Sequence, residues 1–435
     1  MNNKKINNFR SWGNNIKINT TVNDFTEEIE IQNLQKFTIR GNGRSYGDSA
    51  LSEKALIMTS FNNINLFDQE NGVIECDSGI QLKDLNAKII PKGWFLKVTP
   101  GTSLATIGGC IASDVHGKNH FLNGSFSDHV ISIKLLNADN KIIEISNSKF
   151  KEIFFATCGG MGLTGVILSV RLKLMKINSS NINQIEKKFT NFDELVNAFH
   201  EYEDNIYNVG WIDFLNNKNN EFKSVFLTAN HSNDTKFDKI KINQLNIPFK
   251  RGFSLLLNNQ NMKLFNKFYY SRAKNNHFSV INYNKYFYIL DFIKNWNGLY
   301  GKKGLLQLHF ILPEKFVMGG FKKIFNQINK SQFRPYLSTF KRYSNSNKNY
   351  LTFSKKGFGL AIDFPNNDGS VKLIKELEDI IVEHDGRIYL CKDSLLSRKN
   401  FEKSYEKFKI FKDILHNINP GLKFKSMQSD RLGIT

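Results

Sequence analysis

The chain has 435 residues, a formal net charge of +20, 40% hydrophobic and 13% aromatic residues. That balance excludes a disordered polymer, and no apolar run reaches the ~20 residues that span a bilayer as a helix. The excess charge fits compositional bias first, because lysines are spread along the whole chain, an anionic membrane or phosphorylated substrate second, and nucleic acid third.

The basic start, Met-Asn-Asn-Lys-Lys-Ile, lacks the apolar stretch of a secretory leader. Residues 1–36 hold Ser11-Trp12-Gly13 and a polar stretch with Phe25, Ile29 and Ile31, which predicts a helix and a strand. Phe37 and Ile39 alternate as in a strand and lead into Arg40-Gly-Asn-Gly-Arg-Ser-Tyr-Gly-Asp48. The glycines there free the backbone to turn tightly and approach a ligand closely. Successive N–H groups form an anion nest, which Arg40 and Arg44 reinforce, while Ser45 and Asp48 can bind nearby backbone groups. The expected ligand is a phosphate or pyrophosphate. This is not the nicotinamide-dinucleotide fingerprint, because the third glycine is misplaced and no amphipathic helix follows directly.

Short strands are predicted at 55–58 and 72–79. Leu82, Leu85 and Ile89 predict a helix over 81–90, stopped by Pro91 and Gly93, and a strand at 95–98 runs into Pro100-Gly-Thr102. The second rich stretch is Thr106-Ile-Gly-Gly-Cys-Ile-Ala-Ser-Asp-Val-His-Gly-Lys-Asn-His120. It reads as a small-residue helix able to bring its N-terminus to a flat or anionic ligand, closing on His116, Gly117, Lys118 and Asn119. His116 and His120 stand four apart, but Gly117 disfavours the continuous helix a shared metal would use, so no metal is expected. A hairpin follows over 129–146, turning at Asp139-Asn140. The third glycine cluster, residues 154–165, precedes a strand over 166–174. Cys76, Cys110, Cys158 and Cys391 are scattered without a CxxC pair, which predicts neither zinc nor disulfides and suits a reducing, cytoplasmic setting.

Composition shifts after Lys176. A polar Asn/Ser linker is expected before Asn191-Phe-Asp-Glu194, a capping box, and Leu195, Val196, Phe199 and Tyr202 then mark a helix face. Strands are predicted at 209–214, 224–229, 305–312, 335–342 and 357–365, with Pro313 opening a helix. Residues 249–300 mix basic groups with aromatics, among them Phe249, Phe253, Phe265, Phe268, Tyr288 and Trp296. Most belong in a core, yet the mixture also suits a segment that touches lipid. An amphipathic helix over 371–384, capped by Gly386, a strand over 387–394 and one long helix carrying Phe401, Tyr405, Phe408 and Leu415 complete the chain. The middle region should form an antiparallel sheet with helices.

In order, these motifs resemble the family of FAD-dependent decaprenylphosphoryl-ribose 2′-oxidases, of the vanillyl-alcohol-oxidase type. The resemblance rests on Ser-Trp-Gly, Arg-Gly-x-Gly-Arg-Ser-Tyr-Gly-Asp, Pro-Gly-Thr, Gly-Gly-x-Ile-Ala-x-Asp-x-His-Gly-Lys-Asn-His, Gly-Ser-Phe, Gly-Gly-x-Gly-Leu-Thr-Gly, Asp-Phe-Pro and Tyr-x-x-Lys-Asp-Ser, and is looser over 176–356. It implies an α+β fold. A two-part FAD-binding domain, residues 1–176 and 387–435, would flank an inserted substrate domain, 177–386, with an antiparallel sheet flanked by helices. It implies FAD, with Gly41, Asn42, Gly43, Arg44 and Ser45 at the pyrophosphate. Pro100, Gly101, Thr102 and Gly109 would line the flavin, and His116, Gly117 and Asn119 would stand at its ring. Gly162, Ile167 and Tyr389 are further implied cofactor contacts. Lys118, Lys341 and Lys392 are the implied substrate contacts, and Lys392, Lys118 and His116 the implied catalytic groups. Tyr46 stands where relatives with covalent flavin carry a histidine, which implies a dissociable FAD. Ala361, Gly359 and His309 depart from the resembled pocket, so the sugar stays open.

The reaction implied is oxidation of a sugar secondary alcohol to a ketone, at the 2′-hydroxyl of a polyprenylphosphoryl pentose, as the first half of an epimerisation. The resemblance also implies a short-chain reductase partner, and a lipid-linked substrate places the cytoplasmic protein at the anionic inner face of a membrane. Two other readings compete: a soluble sugar, polyol or aldonolactone oxidase on the same scaffold, and a basic nucleic-acid-binding protein, for which no motif speaks.

Overall fold

The computed structural model describes residues 5–26, 34–216, 222–237, 244–246 and 257–435. The chain opens as an antiparallel hairpin of β1 (Lys5–Arg10) and β2 (Lys17–Asp24), not as a helix and a strand. Ile18, Thr20 and Val22 alternate as β-branched residues along β2, which favours the pleated strand; Ile29 and Ile31 lie outside the described residues. β3 (Thr38–Arg40) and β4 (Lys54–Ile57) complete a four-stranded sheet in the order β1-β2-β4-β3. The end of β3 delivers the glycine loop.

A second sheet comprises β5 (Ile64–Asp68), β6 (Val73–Asp77), β7 (Trp94–Leu96), β8 (Val130–Leu136), β9 (Ile142–Ile145) and β10 (Val166–Lys176). Its order is β5-β6-β10-β8-β9, with β7 also on β10. β10 is its middle strand, and its first five residues are all buried, as the continuous run Val-Ile-Leu-Ser-Val requires.

The third sheet is the largest, with eight strands: β11 (Asn181–Phe189), β12 (Tyr207–Ile212), β13 (Ser224–His231), β14 (His277–Asn282), β15 (Leu305–Pro313), β16 (Leu337–Tyr343), β17 (Gly357–Pro365) and β18 (Arg387–Ile388). Their order is β14-β11-β13-β12-β16-β17-β15-β18, antiparallel throughout. The expected polar linker before Asn191 is instead strand β11. Its residues are mostly half-buried, so polar side chains serve both faces and no apolar alternation marks it. Helices Phe192–Glu201, Val317–Lys330 and Asp368–Glu383 share one core with this sheet, where Phe192 meets Phe340 and Phe199 meets Phe358. Asn191 caps the first of them, accepting from the Glu194 N–H at 2.8 Å.

Three expectations near the C-terminus need correction. The strand predicted over 387–394 pairs only at β18, and the chain then turns, with Lys392 N–H on the Tyr389 carbonyl at 3.0 Å. The long last helix is two, Arg398–Ser404 and Phe408–Ile418, because buried Tyr405 between them donates to the Ile388 carbonyl at 2.6 Å. The helix Asp368–Glu383 closes on Asp385 at φ 55°, not on Gly386. Gly386 serves close approach: a Cβ there would lie 2.7 Å from the Ile311 carbonyl oxygen.

The tail then returns to the N-terminal loop. Phe37 exchanges backbone bonds of 2.9 Å with Lys423 and Lys425, and Tyr46 N–H meets the Cys391 carbonyl at 3.1 Å. Among the described residues no helix is long and apolar enough to cross a membrane.

Candidate functional site

A cavity of about 720 Å³ lies against the glycine loop, β10 and one face of the eight-stranded sheet. Gly41, Asn42, Gly43, Arg44, Ser45 and Tyr46 all line it. Gly43 turns the loop at φ 60°, with the Arg40 guanidinium packed beneath it. Gly47 serves the tail: a Cβ there would sit 1.6 Å from the Asp393 carbonyl oxygen. Asn42 fixes the turn by donating to the Leu104 carbonyl at 2.8 Å.

The two arginines of the loop part company. Arg40 faces away from the cavity, donating to the Ala50 carbonyl at 2.8 Å and lying 4.5 Å from the Phe9 ring centre. Arg44 lies 4.1 Å over Trp12 and lines the cavity, with a buried Nε that has no partner among the described residues. Burial lowers its pKa, partly offset by Asp291. Such an orphaned cationic donor beside a backbone nest suits a diphosphate. Asp48 binds local backbone as expected, its carboxylate meeting its own N–H, and it also accepts a two-pronged bond from Arg431, at 2.9 and 2.8 Å.

Pro100, Gly101, Thr102 and Gly109 line the next stretch of wall. The helix Ile107–Ala112 starts at Thr106, whose hydroxyl accepts from Gly109 N–H at 3.3 Å. Thr102 Oγ1 is engaged by Asp291, at 2.7 Å. Gly162 and Ile167 also face the cavity. A Cβ built on Gly101 or Gly162 would meet nothing within 4 Å among the described residues. These bare backbone surfaces, with the orphaned Arg44 Nε, fit a flat ring system carrying a diphosphate, as FAD does.

His116, Gly117, Lys118, Lys341, Tyr389 and Lys392 gather at the cavity as well. Asn119 does not line it. It is buried behind the turn, donating to the Lys97 carbonyl at 2.6 Å, with its amide oxygen 2.4 Å from where a Gly117 Cβ would be. It therefore supports the His-Gly-Lys turn from behind.

His116 stacks on Phe353 at 5.2 Å and lies 4.9 Å from His309 and 4.8 Å from Tyr389. His309 sits opposite Ala361 in the β15–β17 register, and its Nε2 lies 3.2 Å from the Tyr343 hydroxyl. Small residues at 359 and 361 make room for these rings; a Cβ on Gly359 would be 2.7 Å from the Tyr343 ring. Burial pushes His116 and His309 well below the usual histidine range, helped at His116 by His309 and then Lys341, and at His309 by Lys341 and Lys392, so both are neutral.

Lys341 stands within electrostatic reach of both Lys118 and Lys392. Lys118 donates to the Tyr286 carbonyl, 3.8 Å over that residue's ring, and burial followed by Lys341 lowers it to about 7. Lys341, opposite Gly359, is lowered to about 8 by burial and then by Lys392. Lys392 stands 3.5 Å over the Tyr46 ring and is lowered to about 8, chiefly by burial, against upward pulls from Cys391 and Asp363. Each lysine keeps part of its surface open to the cavity while protein closes off bulk solvent. Asp363, not singled out from the sequence, accepts from Gln307 and is raised to about 6 by burial. An aspartate inside the apolar run of β17 is the signal that marks it. The arrangement can hold an anion and supply a lysine that changes protonation near neutral pH.

A family model described as an FAD binding domain matches residues 21–146. Decaprenylphosphoryl-beta-D-ribose oxidase of Mycolicibacterium smegmatis is 30% identical over 410 residues, 90% of this chain and 88% of that protein. L-gulonolactone oxidase of Scyliorhinus torazame is 28% identical over 174 residues, 39% of each chain. D-lactate dehydrogenase of Archaeoglobus fulgidus is 27% identical over 143 residues, 31% of this chain and 32% of that one. With a near full-length match on top of a cavity that fits FAD, the chain belongs to the decaprenylphosphoryl-beta-D-ribose oxidase family and is an FAD-dependent oxidoreductase acting on CH–OH groups.

Proposed function

We propose that the enzyme oxidises the 2′-hydroxyl of a polyprenylphosphoryl pentose to a ketone, the first half of an epimerisation. The observation that carries this reading is the meeting of Lys118, Lys341 and Lys392 at one cavity with neutral His116 and His309. FAD held by the loop 41–45 and the wall 100–102 would supply the acceptor for the hydride of the carbinol carbon. Lys392 takes the hydroxyl proton, and its ammonium form then balances negative charge gathering nearby. Lys118 and Lys341 hold the phosphate as point charges. His116 and His309, being neutral, hydrogen-bond sugar hydroxyls. Residues 1–176 and 387–435 carry the cofactor, and 177–386 carry most of the substrate wall. A short-chain reductase would return the ketone to the epimeric alcohol.

The test is anaerobic bleaching of the flavin with a panel of prenylphosphoryl pentoses, free polyols and aldonolactones. Rapid bleaching by the prenylphosphoryl pentose alone is expected. Bleaching by aldonolactones alone would favour the second reading, a soluble lactone oxidase, which the L-gulonolactone oxidase match supports. Tyr46 cannot form a histidyl–flavin bond, so acid precipitation should leave the yellow cofactor wholly in the supernatant. Colour retained in the pellet would contradict a dissociable FAD.

A further inference from the structure

We propose that the outer face of helix Asn259–Arg272 docks on an anionic phospholipid bilayer. Its inner side is settled: Met262 and Asn266 are buried, and Asn266 donates to Asp213 at 2.9 Å. Its outer side carries Leu264, Phe265 and Phe268, which are 66%, 52% and 57% exposed. At about 3.6 residues per turn these three form one stripe facing solvent. Large apolar side chains grouped in this way mark a surface made to be covered.

The charges around the stripe say what covers it. Lys263, Lys267, Arg272 and Lys274 are exposed, and residues 257–290 contain five lysines and arginines with no aspartate or glutamate, while Glu186 of β11 accepts from the Lys274 N–H at 2.8 Å beyond the helix's C-terminal end. An apolar stripe flanked by cations matches acyl chains beneath anionic headgroups. A second copy of the chain offers poor complementarity, since an isologous contact would set these cations against themselves.

Location supplies the second argument. Tyr269, on the same helix, packs on Trp211 at 4.9 Å, and both residues line the cavity. Exposed Lys285 and Ile289 line it too. The docking face thus borders the cavity, so a lipid-linked sugar would pass from bilayer to cavity without leaving the interface. That last step rests on the proposed substrate; the docking itself does not. The structure also narrows the aromatic segment. Tyr283, Tyr286, Phe287, Tyr288, Trp296 and Tyr300 are core, while Phe249 and Phe253 lie outside the described residues.

The test is co-sedimentation of the FAD-loaded, full-length protein with vesicles, without substrate. Phosphatidylcholine vesicles are compared with vesicles containing phosphatidylglycerol. The wild type should bind the phosphatidylglycerol vesicles, and less so as salt is added. The triple variant Leu264→Ser, Phe265→Ser, Phe268→Ser should bind about tenfold more weakly or worse, and Lys263→Gln with Lys267→Gln several-fold more weakly. None of these side chains lines the cavity, so flavin absorbance and melting should match the wild type and certify the fold. Absence of wild-type binding, equal binding by the triple variant, or equal binding to phosphatidylcholine would overturn the proposal. So would a concentration-dependent wild-type dimer that the triple variant abolishes, because a second copy would then be the cover. Because no substrate is present, failure of the substrate panel leaves this result intact.

Discussion

Lys392→Ala is expected to lower turnover by about a thousandfold while the protein keeps its FAD. The residue is placed for proton transfer by geometry before pKa. The turn after β18 carries it to the cavity, and the Tyr46 face holds its ammonium at 3.5 Å. Its pKa of about 8 means that the neutral form grows through the physiological range. Turnover should therefore rise with pH through about 8 and level above it. Asp363 pulls Lys392 upward, and since Asp363 is itself at about 6 it is ionised across that range. Asp363→Asn should consequently move the rising limb to lower pH. Two variants distinguish a base from a plain cation. Lys392→Arg keeps the charge but cannot give up its proton, so it should be as poor as Lys392→Ala. Added primary amines should restore part of the turnover of Lys392→Ala and none of Lys392→Arg. An arginine variant with most of the turnover would make Lys392 a charge-balancing group only, and an alanine variant with full turnover would remove it from the reaction.

What could be read from the chain follows a physical division. The glycine loop, the small-residue helix and the His-Gly-Lys turn are local: each owes its shape to residues a few positions apart, and the structure brings all three to one cavity. Arg40 and Arg44 show where local reading stops. They are the same residue type four apart, and only the direction of the turn at Gly43 decides which one reaches the cavity. Strand β11 was hidden because half-buried polar residues serve both of its faces, so alternation carries no hydropathy signal. The break between the last two long helices depends on Tyr405 reaching the Ile388 carbonyl, a partner on another element. Asn119 sits in the same motif as His116 and Lys118 but points behind the turn, and nothing in residue type says so. The outer stripe of the Asn259–Arg272 helix could be seen only as a composition until burial separated its three exposed apolar residues from the buried aromatics around them.

Arg431→Met is expected to cost about 3–5 kcal/mol, because it strands two buried carboxylates. Arg431 donates twice to Asp48, 383 residues away in sequence, and once to Asp393 at 2.8 Å, and these two carboxylates are 3% exposed each. Its remaining nitrogen donates to the Leu396 carbonyl at 2.6 Å. The residue thus ties the tail to the glycine loop next to Gly47, so its loss should loosen the FAD site as well as the tail. A lysine cannot reproduce the planar fork, and Arg431→Lys should recover little. The pH dependence gives the sign. Burial raises the Asp48 pKa and Arg431 draws it back down. The contribution of Arg431 therefore exists while Asp48 is ionised and is lost as pH falls through the Asp48 pKa. The deficit of Arg431→Met should be largest near neutrality and should narrow in acid, where Asp48 takes up a proton. Asp48→Asn made in the same chain should return part of the loss, since the stranded charge is then gone. Melting followed by flavin fluorescence at two pH values reads both effects. If Arg431→Met melts with the wild type at both and keeps its FAD, the tail is held by its other contacts, Phe424 on Phe37 at 5.4 Å and Gln428 on the Leu390 carbonyl at 2.7 Å, and the ion pair is dispensable.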